Sequence, residues 1–152
     1  MSKSGKKIQI LLGSDHAGLE LKEIITAFLS SRGIVCEDAG TFGNESVDYP
    51  DFAHQVAQTV SSGRVPKGIL ICGTGIGMSI AANRFPKVRA ALCNDLFTAK
   101  MARAHNDANI LALGGRVVGP GLALAIVEAF LDTPFEKGRH ARRIRKLEVD
   151  HP

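Results

Sequence analysis

The stretch Gly68-Ile69-Leu70-Ile71-Cys72-Gly73-Thr74-Gly75-Ile76-Gly77 joins a short apolar run to three alternating glycines. Short apolar runs are typical of strands that are buried on both faces of a parallel sheet. The residues that follow, up to about Asn83, are expected to form a helix, so the glycines make a turn between a strand and a helix. Such a turn presents free backbone N–H groups, which stabilise a negative charge above the sheet.

Strands and helices alternate along the rest of the chain. Strands are expected at 8–12, 34–38, 68–72, 88–93 and 108–113. Helices are expected at 19–31, 52–60, from the glycine turn to 83, at 96–103, 120–131 and 139–147, the last being short and basic. This order predicts one α/β domain over residues 1–152, a three-layer α/β/α Rossmann-like fold with a five-stranded parallel sheet. The polar residues 1–7 are expected to be disordered.

Polar residues follow several of the predicted strands. In open parallel sheets, ligands bind beyond the carboxyl ends of the strands. Asp15 with His16 and, later, His105 with Asn106 each place an imidazole beside a polar partner in a loop. Histidine exchanges protons near neutral pH, although a single loop histidine is often merely solvated. We expect both loops to lie at the same edge of the sheet as Cys72.

Cys72 has two interpretations, a small buried apolar residue or a nucleophile or base. The helix after the glycine turn favours the second, because its N-terminus stabilises a nearby negative charge. Cys36 and Cys93 lack such a turn and are interpreted as structural. With three cysteines and no metal-binding spacing, the sequence indicates no disulfide framework and a reducing compartment.

The glycine turn also has two interpretations, an ordinary tight turn or a nest for a developing oxyanion. It is not the dinucleotide motif, because Met78 stands where the third glycine would be, and no Lys-Ser/Thr pair makes it a phosphate loop. A Rossmann-like nucleotide-binding module stays open as an alternative, because Asp95 follows Gly75 at about the distance of a ribose-binding acid.

The chain of 152 residues has a net charge of +4, and the positive excess is concentrated between Lys137 and Lys146. In a helix Arg139 and Arg143 share one face and can converge on one phosphate, although a solvated basic helix is the competing interpretation. One arginine cluster and the absence of Trp argue against nucleic-acid binding. The sequence has no apolar segment long enough for a membrane span and no signal peptide, so a cytoplasmic protein is expected.

Seven motifs taken in order carry a more specific indication. They are Gly-Ser-Asp15-His16-Ala-Gly, Asp48-Tyr49-Pro50, the stretch around Cys72, Ala-Asn83, Arg103-Ala-His105-Asn106-Asp107-Ala-Asn109, Gly-Gly-Arg116-Val-Val and Gly-Arg139-His140-Ala-Arg-Arg143. From Ile8 to about Leu147 the chain resembles the sugar-phosphate isomerases of the type B ribose-5-phosphate isomerase family. That family includes the galactose-6-phosphate isomerase subunits.

The resemblance implies a role for each matching residue. Cys72 is the expected base, while Thr74 and the N–H groups of Gly73, Gly75 and Gly77 stabilise an enediolate oxygen. His105 opens the furanose ring, and Asp15, Asn106 and Tyr49 contact the sugar. His16, Arg116, Arg139 and Arg143 hold the phosphate.

The resemblance also implies interconversion of ribose 5-phosphate and ribulose 5-phosphate in the pentose phosphate pathway. It implies no metal and no organic cofactor. The expected assembly is a homodimer, or a dimer of dimers, whose site is shared between subunits. Some members use a glutamate base within the glycine turn, whereas Cys72 and Met78 place this chain among the cysteine users. A six-carbon substrate, allose or galactose 6-phosphate, stays open.

Overall fold

The computed structural model describes residues 5–149 and contains a five-stranded parallel sheet in the order β2-β1-β3-β5-β4. The strands are β1 (Ile10–Ser14), β2 (Cys36–Asp38), β3 (Lys67–Cys72), β4 (Ala90–Leu92) and β5 (Ile110–Gly114). The helices are α1 (Leu19–Ser31), α2 (Tyr49–Ser61), α3 (Ile76–Ala82), α4 (Leu96–Ala104), α5 (Pro120–Asp132) and α6 (Arg139–Arg145), and a 3-10 turn spans His16–Gly18. The predicted α/β fold class is confirmed.

Helices cover both faces of the sheet. Successive side chains of a strand point to opposite faces. In β3, Ile69 and Ile71 therefore pack with α1, α4 and α5, whereas Leu70 and Cys72 pack with α2 and α3. Burial on both faces explains why the central strand is an unbroken apolar run. It also places the Cys72 side chain on the α2/α3 side.

The strand order reverses between β1 and β3. These two strands are paired, with Ser14 opposite Ile71, but the chain leaves β1 towards β2 and leaves β3 towards the opposite edge. A crevice forms at such a reversal, beyond the carboxyl ends of the strands. Asp15 and Cys72 lie at the two sides of this crevice.

Several predicted boundaries were wrong. β1 continues to Ser14 because it pairs with β3 over five residues, and β2 and β4 are shorter than predicted because each pairs with its single neighbour over three. α2 begins at Tyr49 rather than Phe52, with Pro50 in its first turn, where proline is tolerated.

Residues 5–7 have no regular secondary structure, and residues 1–4 of the predicted disordered segment lie outside the described part. Within residues 5–149, none of the helices combines the length and the apolar character needed to cross a bilayer.

Candidate active site

The sulfur of Cys72 is directed into the glycine turn. Cys72 ends β3, is 5% exposed and accepts a hydrogen bond at Sγ from the backbone N–H of Gly75, at 3.1 Å. Gly75 is the residue before α3 and has a φ of 79°. A Cβ at this position would lie 2.6 Å from Cδ1 of Leu92, so glycine is required for both conformation and space. The turn therefore aims a backbone N–H donor at the sulfur of Cys72.

Thr74 and Tyr49 complete this side of the turn. The hydroxyl of Thr74 accepts a hydrogen bond from the N–H of Ile76 at 3.2 Å. The Tyr49 ring lies directly over Gly77, because a Cβ built on that glycine would be 2.4 Å from the ring Cζ. Tyr49 is 39% exposed, so its ring borders the crevice instead of being enclosed in the core.

Arg116 brings positive charge to the same turn. It follows β5, and its backbone N–H donates to the carbonyl of Gly73 at 3.0 Å. Its Nη1 atom is 3.5 Å from the position that a Cβ on Gly73 would take. The guanidinium thus lies at the beginning of the glycine turn, as predicted for a residue beyond the carboxyl end of a strand.

Asp15 and His16 form the opposite side of the crevice. The Oδ1 atom of Asp15 accepts the N–H groups of Ala17 at 3.0 Å and of Gly18 at 3.2 Å, and this capping produces the 3-10 turn. Nδ1 of His16 accepts the N–H of Val47 at 3.2 Å. Because Nδ1 is the acceptor, the proton of the ring is on Nε2, which is available as a donor to an anion.

His105 and Asn106 do not lie at this edge. Their loop follows α4 and leads into the beginning of β5, where Ile110 is opposite Gly68, whereas Gly114 at the end of β5 is opposite Cys72. Four residues of strand separate the two levels, about 13 Å at ~3.3 Å per residue. The expectation that both histidine loops share the edge of Cys72 is therefore wrong for His105. A loop that follows a helix returns to the amino edge of a parallel sheet.

A second cluster surrounds His105 at the amino edge. The His105 ring stacks on that of His140, with centroids 4.2 Å apart and planes 10° apart. Glu136 faces both, its Oε2 atom 3.8 Å from Nε2 of His105 and 3.5 Å from Nε2 of His140. Arg143 and Asn106 join the two histidines in lining a cavity of about 210 Å³. Arg139 begins the helix that carries His140 and Arg143.

His140 is the buried member of this cluster, with 6% exposure. Burial, together with the neighbouring His105 and Arg139, lowers the pKa of His140 below its ordinary value. His140 lies within one of the sequence motifs without a predicted role, and Glu136 was not among the predicted site residues. The spacing of four between Glu136 and His140 is the signal that could have indicated a pair.

Among the described residues, these three side chains also have the residue types of a metal site. Ligand atoms of His105, Glu136 and His140 lie within 4.8 Å of one another. Stacked rings in nearly parallel planes do not direct their nitrogen lone pairs to one point, and the neighbouring arginine charges oppose a bound cation. We therefore interpret the cluster as an acid–base group.

The other two cysteines have different surroundings. Cys93 is 1% exposed, and burial raises the pKa of its thiol to about 11. Cys36 is half-buried, and burial raises its pKa as well. Asp95 caps α4 by accepting the N–H of Thr98 at 2.7 Å, so its carboxylate has a structural partner.

Comparison with known proteins gives the family. The model of the Ribose/Galactose Isomerase family matches residues 10–147. The chain belongs to the ribose/galactose isomerase family. Ribose-5-phosphate isomerase B of Escherichia coli is 49% identical over 139 residues, which cover 91% of this chain and 93% of that protein.

Two further members show the range of this family. A ribose-5-phosphate isomerase B structure from Clostridium thermocellum has a TM-score of 0.90 and 56% identity, covering 92% of this chain and 95% of the other. The D-erythrulose-4-phosphate isomerase of Pectobacterium atrosepticum is 42% identical over 92% of this chain and 93% of that protein. Family membership thus accompanies closely similar chemistry on sugars of different length.

Proposed function

We propose that the protein interconverts ribose 5-phosphate and ribulose 5-phosphate through an enediolate. One observation carries the proposal: Sγ of Cys72 lies 3.1 Å from a backbone N–H of the glycine turn, at the strand-order reversal of an aldose–ketose isomerase fold. A base next to a group of N–H donors is what proton transfer between two adjacent carbons requires.

The proton transfer assigned to Cys72 is balanced within the sugar. The thiolate removes the proton from C2 of the open-chain aldose, and the electron pair moves onto the C1 oxygen to form the enediolate. The O2 hydroxyl passes its proton to O1, and return of the thiol proton to C1 as the C2 carbonyl forms gives the ketose, so no oxidant, metal or organic cofactor is needed. Thr74 and the N–H groups of Gly73 and Gly77 would hold the oxygen that carries the charge, while the N–H of Gly75 is the donor to the sulfur of Cys72.

The remaining roles are divided between the residues near the glycine turn and the cluster around His105. Near the glycine turn, Asp15 and Tyr49 would contact hydroxyl groups, and His16 and Arg116 would approach the phosphate. The other cluster would supply His105 for ring opening and Asn106 for a hydroxyl. The remaining phosphate donors would be Arg139 and Arg143.

We further propose that the site is completed by a second copy of the chain. The separation of about 13 Å between the strand levels of Cys72 and His105 supports this, because one sugar phosphate must reach both groups. Ile76 and Ile80, exposed by 52% and 56% on α3, offer apolar area for contact beside the turn. A homodimer, alone or in a dimer of dimers, would place the His105 cluster of one chain against the Cys72 turn of the other.

The substrate is tested by comparing kcat/KM for ribose 5-phosphate with allose 6-phosphate and galactose 6-phosphate. We expect ribose 5-phosphate to be preferred by at least ~10-fold, about 1.4 kcal/mol in transition-state binding. Preference for a six-carbon sugar would replace the five-carbon assignment and keep the reaction class. A nucleotide-binding module is the competing class, and saturable NAD binding without isomerisation would support it.

We further propose that the enzyme is cytoplasmic and acts in the pentose phosphate pathway. We also propose that it binds no nucleic acid. The basic residues of α6 are then phosphate ligands of the substrate instead of a nucleic-acid surface. Weak and strongly salt-dependent binding to DNA is all that one such helix would give.

A further inference from the structure

Glu136 lies between two stacked imidazoles. Its Oε2 atom is 3.8 Å from Nε2 of His105 and 3.5 Å from Nε2 of His140. The carboxylate is supplied by the segment between α5 and α6, and the backbone N–H of Glu136 donates to the carbonyl of Ala104 at 3.0 Å, next to His105. This backbone bond ties the segment that carries Glu136 to the end of α4, immediately before His105.

The buried ring of His140 is the surface against which the His105 ring stacks. Its ring is 6% exposed and stacks on that of His105, whose side chain is 39% exposed. Among the described residues no group makes an aligned hydrogen bond to Nε2 of His140, which is directed towards Glu136. Stacking restricts the orientation of the His105 ring on one face, and the carboxylate lies beside its Nε2 edge.

The charges around the cluster determine what Glu136 can do. His105 immediately follows α4, whereas Arg139, His140 and Arg143 come from α6. Burial and these positive neighbours lower the pKa of His140, which favours the neutral form of its ring. The carboxylate of Glu136 is thus available to offset positive charge that develops on His105.

We infer that Glu136 is a positioning residue for His105. Its carboxylate orients the His105 ring, which also stacks on the ring of His140. The inference rests on the ring-opening role proposed for His105. The carboxylate receives the Nε2–H of His105, which leaves Nδ1 free to exchange a proton with the sugar. The separation of 3.8 Å exceeds a hydrogen bond, and we expect it to shorten in the substrate complex, as is common for catalytic pairs.

The assigned step is balanced. Nδ1 of His105 takes the proton from the anomeric hydroxyl of the furanose, the C1 carbonyl forms, and the bond from C1 to the ring oxygen breaks. The ring oxygen then takes the proton from Nδ1. During this exchange His105 is transiently an imidazolium, and the carboxylate of Glu136 stabilises that form, as an acidic residue does beside a catalytic histidine in hydrolases.

Two reactions of one enzyme separate ring opening from proton transfer. Ribose 5-phosphate is cyclic and needs ring opening, whereas ribulose 5-phosphate is open and can exchange a C1 proton for solvent deuterium without it. For Glu136→Gln we expect the turnover of ribose 5-phosphate to fall roughly 10-fold to 100-fold, part of the 10²–10⁴ that general acid–base catalysis contributes. The rate of deuterium incorporation into ribulose 5-phosphate should stay within about 2-fold of the wild-type rate.

Glu136→Asp should recover part of the lost turnover, because it restores a carboxylate. Asp132→Asn is the matched control, since that carboxylate is similarly exposed, at 51% against 55%, but pairs with Arg32. The control should leave both reactions unchanged. Equal losses of conversion and deuterium exchange in Glu136→Gln, or no loss in either, would overturn the inference.

The tautomer of His105 can be measured by NMR without any enzymatic activity. Its result therefore tests the positioning role independently of the proposed function. In protein labelled with ¹⁵N-histidine, the resonance of His105, assigned with His105→Asn, should show a proton on Nε2 and a free Nδ1. Glu136→Gln should shift the resonance towards the other tautomer. A wild-type protein that neither converts nor exchanges the sugars would refute the proposed function, whereas an unchanged His105 tautomer would refute the positioning role.

Discussion

The backbone N–H of Gly75 donates to the sulfur of Cys72 across 3.1 Å, within a turn that requires glycine. Any residue larger than glycine would be strained at this position, because the φ of Gly75 is 79° and a Cβ would contact Leu92. One hydrogen bond thus couples the end of the central strand to the N-terminus of α3. It brings the Cys72 thiol, at the end of the strand beside the crevice, into contact with a backbone donor.

Replacing the thiol tests the proposed base. Cys72→Ala should lower kcat for ribose 5-phosphate by 10³-fold or more, because general bases contribute at the order of 10²–10⁴ and the glycine turn alone has no proton acceptor. Substrate binding, measured by calorimetry, should be nearly unchanged. Cys36→Ala is the control and should retain full activity. Near-normal turnover in Cys72→Ala would refute the base assignment.

Alkylation distinguishes the three thiols. Burial raises the pKa of Cys93 to about 11 and also raises that of Cys36, so both are poorly reactive at pH 7.5. We therefore expect iodoacetamide to modify Cys72 first and ribose 5-phosphate to protect it. Peptide mass spectrometry after limited labelling gives the order, and modification confined to Cys36 or Cys93 would contradict it.

Mixed oligomers test the shared site. Cys72→Ala and His105→Ala homodimers should each be nearly inactive. After subunit exchange, a two-fold dimer with one chain of each kind has one intact site, so random mixing should restore about a quarter of wild-type activity. If both residues act within one chain, mixing restores nothing. Cys72→Ala mixed with Cys72→Ser is the negative control.

The paired arginines of α6 should act on binding. Arg139→Ala with Arg143→Ala should raise KM for ribose 5-phosphate by about 10² or more, because charge-assisted hydrogen bonds to phosphate are lost. Arg142→Ala, on the same helix and also exposed, is the matched control with a smaller effect. An unchanged KM in the double variant would show that the phosphate binds elsewhere.

Cys93 should make the protein less stable in alkali. Its pKa is about 11 when folded and near 9.0 when unfolded, so the unfolded chain loses the proton first as pH rises. The stabilisation is complete below pH 9 and is lost between pH 9 and 11, by about 2 kcal/mol. Urea unfolding at pH 8 and pH 10.5 should show a smaller decline for Cys93→Ala than for the wild type. Parallel declines would contradict the assignment.

Local patterns predicted most of the fold and which residues lie around the glycine turn. Alternating apolar runs and glycine turns placed Asp15, Cys72 and Arg116 at the carboxyl edge, because the residue after a parallel strand lies there whatever the helices do. The error over His105 was avoidable, since the predicted order of elements already places a loop after a helix at the amino edge. The Asp15 cap was missed because the turn residues alone do not show which N–H groups a carboxylate accepts.

The sequence by itself determined the fold class, the glycine turn with its thiol and the family, because these depend on short runs whose residue types admit few conformations. The tertiary structure alone decided that Tyr49 lies over Gly77, that Val47 sets the protonated nitrogen of His16, and that Glu136 and His140 enclose His105. These contacts join residues that lie up to 35 positions apart in the chain, as His105 and His140 do. Such pairs are selected by how helices pack on the sheet, which no local periodicity specifies.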